Sequence, residues 1–460
     1  MPRIDRDRDL LAACDEDQRE AITAKDRALC VLAGAGSGKT RVLTRRIAWR
    51  VLDGSALCAH VLTLTFTRKA AAELRGRLSL LGLPEPVTAG TFHSIALAEL
   101  RRLASERREA PPVVLPSKAR LLHAVLADEE SFPHPLGQAR ARPTAQRHGT
   151  RRARATDSSR APVHELAAEI EWAKSRLLSP NDYAYAAHQA AREAPWPYED
   201  VALVYEAYEK ARRRRRVLDF EDLLTVLACE LAADSGFAAS ARWKFRHLFV
   251  DEYQDVNDSQ LRLLKLWTGD SVDLSVVGDP DQAIYSWNGA NPEAIIHFAA
   301  DFPGARVVRL RTNYRSTAEV LTIAGSVLGR PEVTVTGGRA PTGPVPSVTR
   351  YSDSTSEAAG VAERARLAHR PGRAWSQIAV LARTNAQLPA FREALETLFV
   401  PCRVAGGGAF ARRTHVAAAI ADLARAMSRA ALASMASDLC DSPLQGRGVT
   451  SFPANFSPVK

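Results

Sequence analysis

Residues Val31-Leu-Ala-Gly-Ala-Gly-Ser-Gly-Lys-Thr40 permit few folds around them. An apolar run, Ala28 to Leu32, enters a glycine-rich loop, and Arg41-Val-Leu-Thr-Arg-Arg-Ile beyond it is patterned as a helix. This is the pattern of a phosphate-binding P-loop, with Ala33 where the usual first glycine stands. Gly34, Gly36 and Gly38 let the backbone bend so that successive N–H groups point at one anion. The helix that follows offers its positive end to the same anion. Lys39 is placed to reach the β- and γ-phosphates of a nucleotide, and the Thr40 hydroxyl to ligate Mg²⁺. A chance glycine-rich turn is the competing explanation, and the strand before the loop and the helix after it weigh against that.

The rest of the chain supplies the sheet that such a loop needs. Short apolar runs recur at Ala28–Leu32, His60–Thr65, Val87–Gly90, Arg246–Val250, Leu274–Val277 and Arg306–Leu310. Runs apolar on both faces read as buried parallel strands, and each of the first five leads into polar or glycine-rich residues, where α/β folds place ligands. Between about residues 96 and 216 the pattern is helical and charged, as for a helical domain inserted between strands of one α/β domain. Within it, Gly137 to Pro162 has almost no large apolar residue and reads as disordered. A second α/β pattern begins near Pro344, with strands expected at Val348–Tyr351, Gln377–Ala382 and Cys402–Ala405. Helices are expected from Ser356 to about His369, from Gln387 to Leu398 and from about His415 to Met435. The expected divisions are 1–95 and 217–318 for the first α/β domain, 96–216 for its insertion, 319–435 for a partial second α/β domain, and 436–460 for an unstructured tail.

Composition adds bounds rather than a mechanism. A hydrophobic share of 46% and a charged share of 25% suit a globular protein. No apolar run is long enough for a membrane span and the N-terminus lacks a signal-peptide core, so no membrane partner and a cytoplasmic location are expected. The six cysteines are scattered, with no C-x-x-C pair, which indicates neither a zinc ribbon nor a disulfide framework. The net charge of +10 suits a polyanionic partner, although arginine-rich composition raises the charge without any binding role.

Two further blocks carry chemistry. In His247-Leu-Phe-Val-Asp251-Glu252-Tyr-Gln254-Asp255 an apolar strand ends in acids. Asp251 there can hold Mg²⁺, and Glu252 can orient and deprotonate an attacking water; an ordinary acidic loop is the alternative, disfavoured once the P-loop is considered. In Val276-Val-Gly-Asp279-Pro-Asp-Gln282-Ala-Ile-Tyr285-Ser-Trp287, Gln282 can sense a γ-phosphate. Tyr285 and Trp287 are either base-stacking platforms or core residues, and composition alone favours core. The five arginines Arg212 to Arg216 are either phosphate contacts or a solvated helix end.

Taken in order, these blocks resemble the UvrD/Rep/PcrA group of superfamily 1 DNA helicases over about residues 15 to 425. The resemblance implies a RecA-like P-loop NTPase domain with a parallel sheet, a helical insertion domain and a partial second RecA-like domain. It implies that Gln18 in Asp17-Gln18-Arg-Glu-Ala-Ile contacts adenine, that Ala35, Gly36, Ser37, Gly38, Lys39 and Thr40 hold the phosphates, and that Arg41 lies near the base. Leu64-Thr65-Phe66-Thr67 and Gly90-Thr91-Phe92-His93 resemble strand-contacting motifs, so Thr65, Phe66, Thr91 and His93 join Tyr285 and Trp287 as candidate DNA contacts. Leu218-Asp219-Phe220-Glu-Asp222 fits the segment that re-enters the first motor domain. In Thr312-Asn313-Tyr314-Arg315, Tyr314 would stack on adenine and Arg315 reach the γ-phosphate. Leu381-Ala-Arg383-Thr384-Asn385 and Gly406-Gly-Gly-Ala-Phe410 resemble the start of the second motor domain.

The implied cofactors are ATP and Mg²⁺, with Thr40 and Asp251 as metal ligands. The implied partner is single-stranded DNA, or DNA with a 3′ single-stranded tail, and the implied activity is ATP-dependent 3′-to-5′ unwinding. Two departures stand out. Asn288 occupies a position where most relatives have Arg, and the family's motifs V and VI, the latter with an arginine finger, are not found. The expectation is therefore slow hydrolysis with little unwinding. A non-enzymatic, nucleotide-responsive DNA-binding remnant, or a subunit completed by a partner in trans, is the alternative. A P-loop kinase or transporter ATPase is disfavoured by the Gln18 block, the acidic block and Thr312–Thr317 together.

Overall fold

The computed structural model describes residues 10–127, 162–269, 273–329 and 342–404. The chain divides between Pro346 and Ser347 into two compact units. The first is built on six parallel strands: β1 (Ala28–Ala33), β2 (Val61–Thr65), β3 (Thr88–Thr91), β4 (His247–Val250), β5 (Leu274–Gly278) and β6 (Arg306–Leu310). Their order across the sheet is β3-β2-β4-β5-β1-β6. Each coincides within a residue or two with a run expected from sequence.

Alternation along the strands feeds two cores, one on each face. Cys30, Leu62, Leu64, Leu248, Val250 and Val276 pack with the helices Phe92–Arg107, Asp222–Ala233 and Asp258–Thr268. Leu29, Val31, Val61, Phe249, Val277 and Val308 pack with the helix Lys39–Leu52. Burial on both faces explains the continuous apolar runs of β1, β2, β4 and β5, whereas the outer strands depart from that expectation: β6 exposes Arg306, Val307 and Arg309, and β3 exposes Thr88. The parallel registers set Leu32 beside Gly278, Ala33 beside Leu310 and Thr65 beside Thr91. All the strand ends from which function is expected therefore lie along one edge of the sheet.

Arg46 in the helix Lys39–Leu52 is almost wholly buried. It donates to Ser275 Oγ at 2.9 Å and to the carbonyls of Ala21, Ala24 and Asp26 at 3.1, 2.7 and 2.9 Å. Burial lowers its pKa to about 10. The residue ties the N-terminal helix Glu16–Thr23 and its exit loop to the P-loop helix and β5.

The inserted module has its own core, in which Leu122, Leu166, Ile170, Trp172, Tyr183, Tyr205 and Tyr208 are buried. The chain enters and leaves it through a paired neck: Leu218 N–H donates to Val113 O at 2.9 Å and Leu115 N–H to Leu218 O at 2.7 Å. The helix Phe92–Arg107, which crosses the division expected at 95/96, packs Ile95, Leu100 and Leu103 into the sheet core. Pro162, expected to close a disordered stretch, precedes the helix Val163–Ser175.

In the second unit the helices Ser354–Ala368 and Leu388–Thr397 meet through Ala362, Ala365 and Leu395, where helices were expected. The expected strands are not seen among the described residues: Val348–Tyr351, Gln377–Ala382 and 402–404 carry no ladder, and Val348 and Leu381 are 95% and 91% exposed. A strand is held by hydrogen bonds to a neighbour, and these segments have none of that kind here. The expectations for 137–161, the block 406–410, the helix 415–435 and the tail 436–460 lie outside the described residues. No single described helix is long and apolar enough to cross a membrane.

Candidate functional site

The loop after β1 turns its carbonyls into the protein. Gly34 O accepts from Ser37 Oγ at 2.7 Å, Gly36 O from Tyr314 N–H at 3.0 Å, Ser37 O from Gln18 Nε2 at 2.8 Å, and Ala35 O from Asn313 Nδ2. Gly36 has φ +80°, and a Cβ there would lie 2.7 Å from Arg315 Cβ and 2.9 Å from Asn313 Oδ1. Only glycine allows this close approach. Gly38, at φ +93°, precedes the helix Lys39–Leu52, and no side chain caps that helix. Its first amide groups are thus left for an anion.

Lys39 stands at the centre. Its Nζ is buried, lies 3.2 Å from Glu252 Oε2 and makes no hydrogen bond among the described residues. A buried ammonium without hydrogen bonds fits a phosphate that is to come. Thr40 Oγ1 donates to Asp251 Oδ2 at 3.2 Å, which brings together two hard oxygen donors suited to Mg²⁺. Burial and the neighbouring Glu252 raise the Asp251 pKa to about 6, and the Thr40 bond opposes this. Burial, then Glu252, likewise raise Asp255 to about 6. Glu252 itself sits in the left-handed region, at φ 54°, ψ 46°, a conformation that costs a non-glycine residue on the order of 1 kcal/mol.

Gln18 and Tyr314, the residues expected to meet adenine, both bond the loop, through Ser37 O and Gly36 O. Gln18 is fully buried, and its Oε1 has no hydrogen-bond partner among the described residues, which suits an exocyclic amine such as that of adenine. Tyr314 OH donates to Asp15 Oδ2. Arg41 Nη2 donates to Ala13 O at 2.9 Å, which holds it on the backbone just before the Gln18 helix. Arg315 is exposed beside the loop, its backbone N–H bonded to Asn313 Oδ1 at 2.9 Å.

Two residues absent from the expected site organise it. Asn313 ties the P-loop to the turn carrying Tyr314 and Arg315, through Ala35 O on one side and the N–H groups of Arg315 and Ser316 on the other. Gln254, 2% exposed, donates from Nε2 to Glu252 Oε2 at 2.9 Å and accepts at Oε1 from Asp279 N–H at 2.9 Å. Asp279 in turn accepts from Gln282 Nε2 through Oδ2. One chain of contacts therefore runs from Lys39 through Glu252, Gln254 and Asp279 to Gln282. In the sequence both amides sit in polar blocks that pass for surface.

A groove of about 1210 Å³ opens beside this chain of contacts. Thr65, Phe66, Thr91, His93, Tyr285, Glu252, Gln254 and Gln282 line it, so five of the six candidate DNA contacts share one cleft with the acidic block. Thr65 is buried at its floor, and Thr91 caps the helix Phe92–Arg107 by accepting from Ser94 N–H at 3.3 Å. Phe66 packs on Phe92 with ring centroids 5.8 Å apart. His93 stacks on Phe220 at 3.8 Å, and burial lowers its pKa to about 4. Tyr285 and Trp287 are 47% and 61% exposed, which removes the core reading; Trp287 lies outside the groove lining.

The arginine run divides. Arg212 pairs with Glu209 at 2.7 Å and Asp222 at 3.0 Å, while Arg213 to Arg216 are exposed at the end of the helix Tyr198–Arg214. The run thus supplies two ion pairs through Arg212 and four exposed cations.

Comparison with known proteins agrees with this geometry. A family described as the UvrD/REP helicase N-terminal domain matches residues 14–303, and one described as the UvrD-like helicase C-terminal domain matches residues 308–440. The chain is 37% identical over 96% of its length to the ATP-dependent DNA helicase UvrD2 of Mycobacterium tuberculosis, spanning 62% of that protein. It is 32% identical to the ATP-dependent DNA helicase PcrA of Leuconostoc citreum, over 87% of this chain and 50% of that one. It is 33% identical to DNA helicase II of Escherichia coli, over 90% and 54%. The α/β fold, the P-loop at the end of β1 and these matches lead to one assignment: the chain belongs to the UvrD/REP helicase family.

Proposed function

We propose that the chain forms the ATP- and DNA-binding part of a motor that moves 3′ to 5′ on single-stranded DNA and unwinds duplex with a 3′ single-stranded tail. The observation that carries the reading is the shared groove, in which the strand-facing residues and Glu252 meet. Lys39 and the uncapped helix hold phosphate oxygens, and Arg315 reaches the γ-phosphate from the neighbouring turn. Thr40 and Asp251 hold Mg²⁺, which neutralises phosphate charge and orients the nucleotide when bound. Glu252 orients the attacking water and takes its proton, and Gln282 reports the γ-phosphate to the loop that ends in Tyr285 and Trp287.

Gln18, Arg41 and Tyr314 frame adenine. Thr65, Phe66, Thr91 and His93 line the strand path, and Tyr285 and Trp287 stack on unpaired bases. A cytoplasmic location goes with this reading.

The test is Lys39→Ala with a fluorescent ATP analogue and single-stranded DNA. The expected result is loss of nucleotide binding, with DNA binding in the absence of nucleotide retained. Nucleotide binding at the unsubstituted level would overturn the site.

A further inference from the structure

The exposed aromatics after β5 sit on a short loop, and the inserted helical module holds that loop by its backbone. Arg192 follows the helix Pro180–Gln189 and is fixed at both ends: its N–H donates to Ala187 O at 3.0 Å, and its carbonyl accepts from Tyr198 OH at 2.7 Å. Its guanidinium forms a fork on Glu169, with Nη2 to Oε1 at 2.6 Å and Nε to Oε2 at 3.2 Å. Glu169 is 3% exposed and also accepts from Tyr183 OH at 2.7 Å. The guanidinium carbon lies 4.7 Å from the centre of the buried Trp172 ring. One donor, Nη1, points out of this assembly and donates to Trp287 O at 2.8 Å. Next to it, Ser175 Oγ donates to Trp172 O at 2.8 Å and lies 3.4 Å from Asn288 O, and a Cβ on Gly289 (φ +92°) would lie 1.8 Å from Ser175 Oγ.

We propose that Arg192 is a positioning residue for DNA binding: the inserted module clamps the backbone at Trp287 through Arg192, with Ser175 packed closely against Gly289, so that the Trp287 ring is presented to an unpaired base already ordered. This rests on the reading of Trp287 as a stacking platform. The physical content is preorganisation. A loop ordered before the strand arrives does not lose that freedom on binding. The Arg192–Glu169 fork is bidentate on a buried carboxylate, which fixes direction as well as distance.

The test is a double-mutant cycle on single-stranded DNA affinity in the full chain, with basal hydrolysis and thermal midpoint as controls. Trp287→Ala is expected to weaken binding about 5- to 150-fold. Arg192→Ala is expected to weaken it about 2- to 10-fold with basal hydrolysis within about twofold, and to add nothing in the Trp287→Ala background. Because removing Arg192 leaves Glu169 unpaired, Gly289→Ala provides a second route that spares the fork and is expected to weaken binding in the same way. Additive losses in the cycle, or full affinity in both Arg192→Ala and Gly289→Ala while Trp287→Ala is weak, would overturn the clamp. Unchanged affinity in Trp287→Ala would instead overturn the stacking reading on which it rests.

Discussion

Gln254 shows how much can depend on one amide. Its two ends join Glu252 to the backbone of Asp279, and no other described side chain bonds both. Gln254→Ala leaves the buried Asp279 N–H without its acceptor, at a cost of about 1–3 kcal/mol in stability. It also frees Glu252 from the strand-facing loop. The expected kinetic result is that stimulation of hydrolysis by single-stranded DNA falls more than basal hydrolysis does, read as the ratio of the two rates; an unchanged ratio would refute this role. At this scale the sequence was only half legible. Lys39, Thr40, Asp251 and Glu252 stand in patterns whose chemistry requires those residue types, and the structure brings them within contact. Gln254, Asn313 and Arg192 do their work through carbonyls and N–H groups that only the fold brings near. No spacing rule announces them. The exposure of Tyr285 and Trp287 was hidden for the opposite reason, since most aromatic side chains are buried.

Among elements, the inner strands β1, β2, β4 and β5 of the first unit were the most legible, because burial on both faces writes the same apolar signal at each. In the second unit Val348–Tyr351 and Gln377–Ala382 carry the same local signal without a ladder, which shows that the signal reports apolar spacing and not pairing. The segment Leu218–Asp222 illustrates a different kind of element, a junction held by charge. Lys174 Nζ lies 2.9, 2.7 and 2.6 Å from Glu209, Asp219 and Asp222, and Tyr208 OH donates to Asp219 at 2.9 Å. The acids come from the module and from the re-entering segment, so Lys174 joins the two. Lys174→Met leaves three buried carboxylates without their shared cation. Its expected cost is about 3–5 kcal/mol, far above that of a surface pair, measured by denaturant unfolding. A loss below about 1 kcal/mol would mean that Arg212 and Lys118 carry the load instead.

For the whole first unit, acid stability follows from which buried groups hold protons. Arg50 and His247, acting against burial, lower the Asp273 pKa to about 2, and Lys174 similarly depresses that of Asp219. A depressed carboxylate stabilises above its unfolded pKa, and that stability drains as pH falls through the folded value. For Asp273, 3% exposed at its side chain, the change from 3.8 to about 2 is worth about 2 kcal/mol. His93, held near 4 by burial, acts in the same direction at higher pH: it stabilises above about 6.5 and loses this as pH falls toward 4. Asp251 and Asp255, both raised to about 6, act oppositely. They favour the folded state at low pH and lose that contribution as pH rises through 6. Between pH 6.5 and 4 the two carboxylate gains outweigh the single His93 loss, so stability should rise by roughly 2–3 kcal/mol as pH falls through that window. Below about pH 4 Asp273 and Asp219 lose their contributions, against the raised Glu221 and Asp222, and stability should fall by about 2 kcal/mol before pH 2. Denaturant unfolding at a series of pH values tests this, with Asp273→Asn as the control. That variant should be less stable at pH 7 and should show a shallower fall below pH 4. An equally steep fall would place the acid-sensitive interaction elsewhere in the sheet.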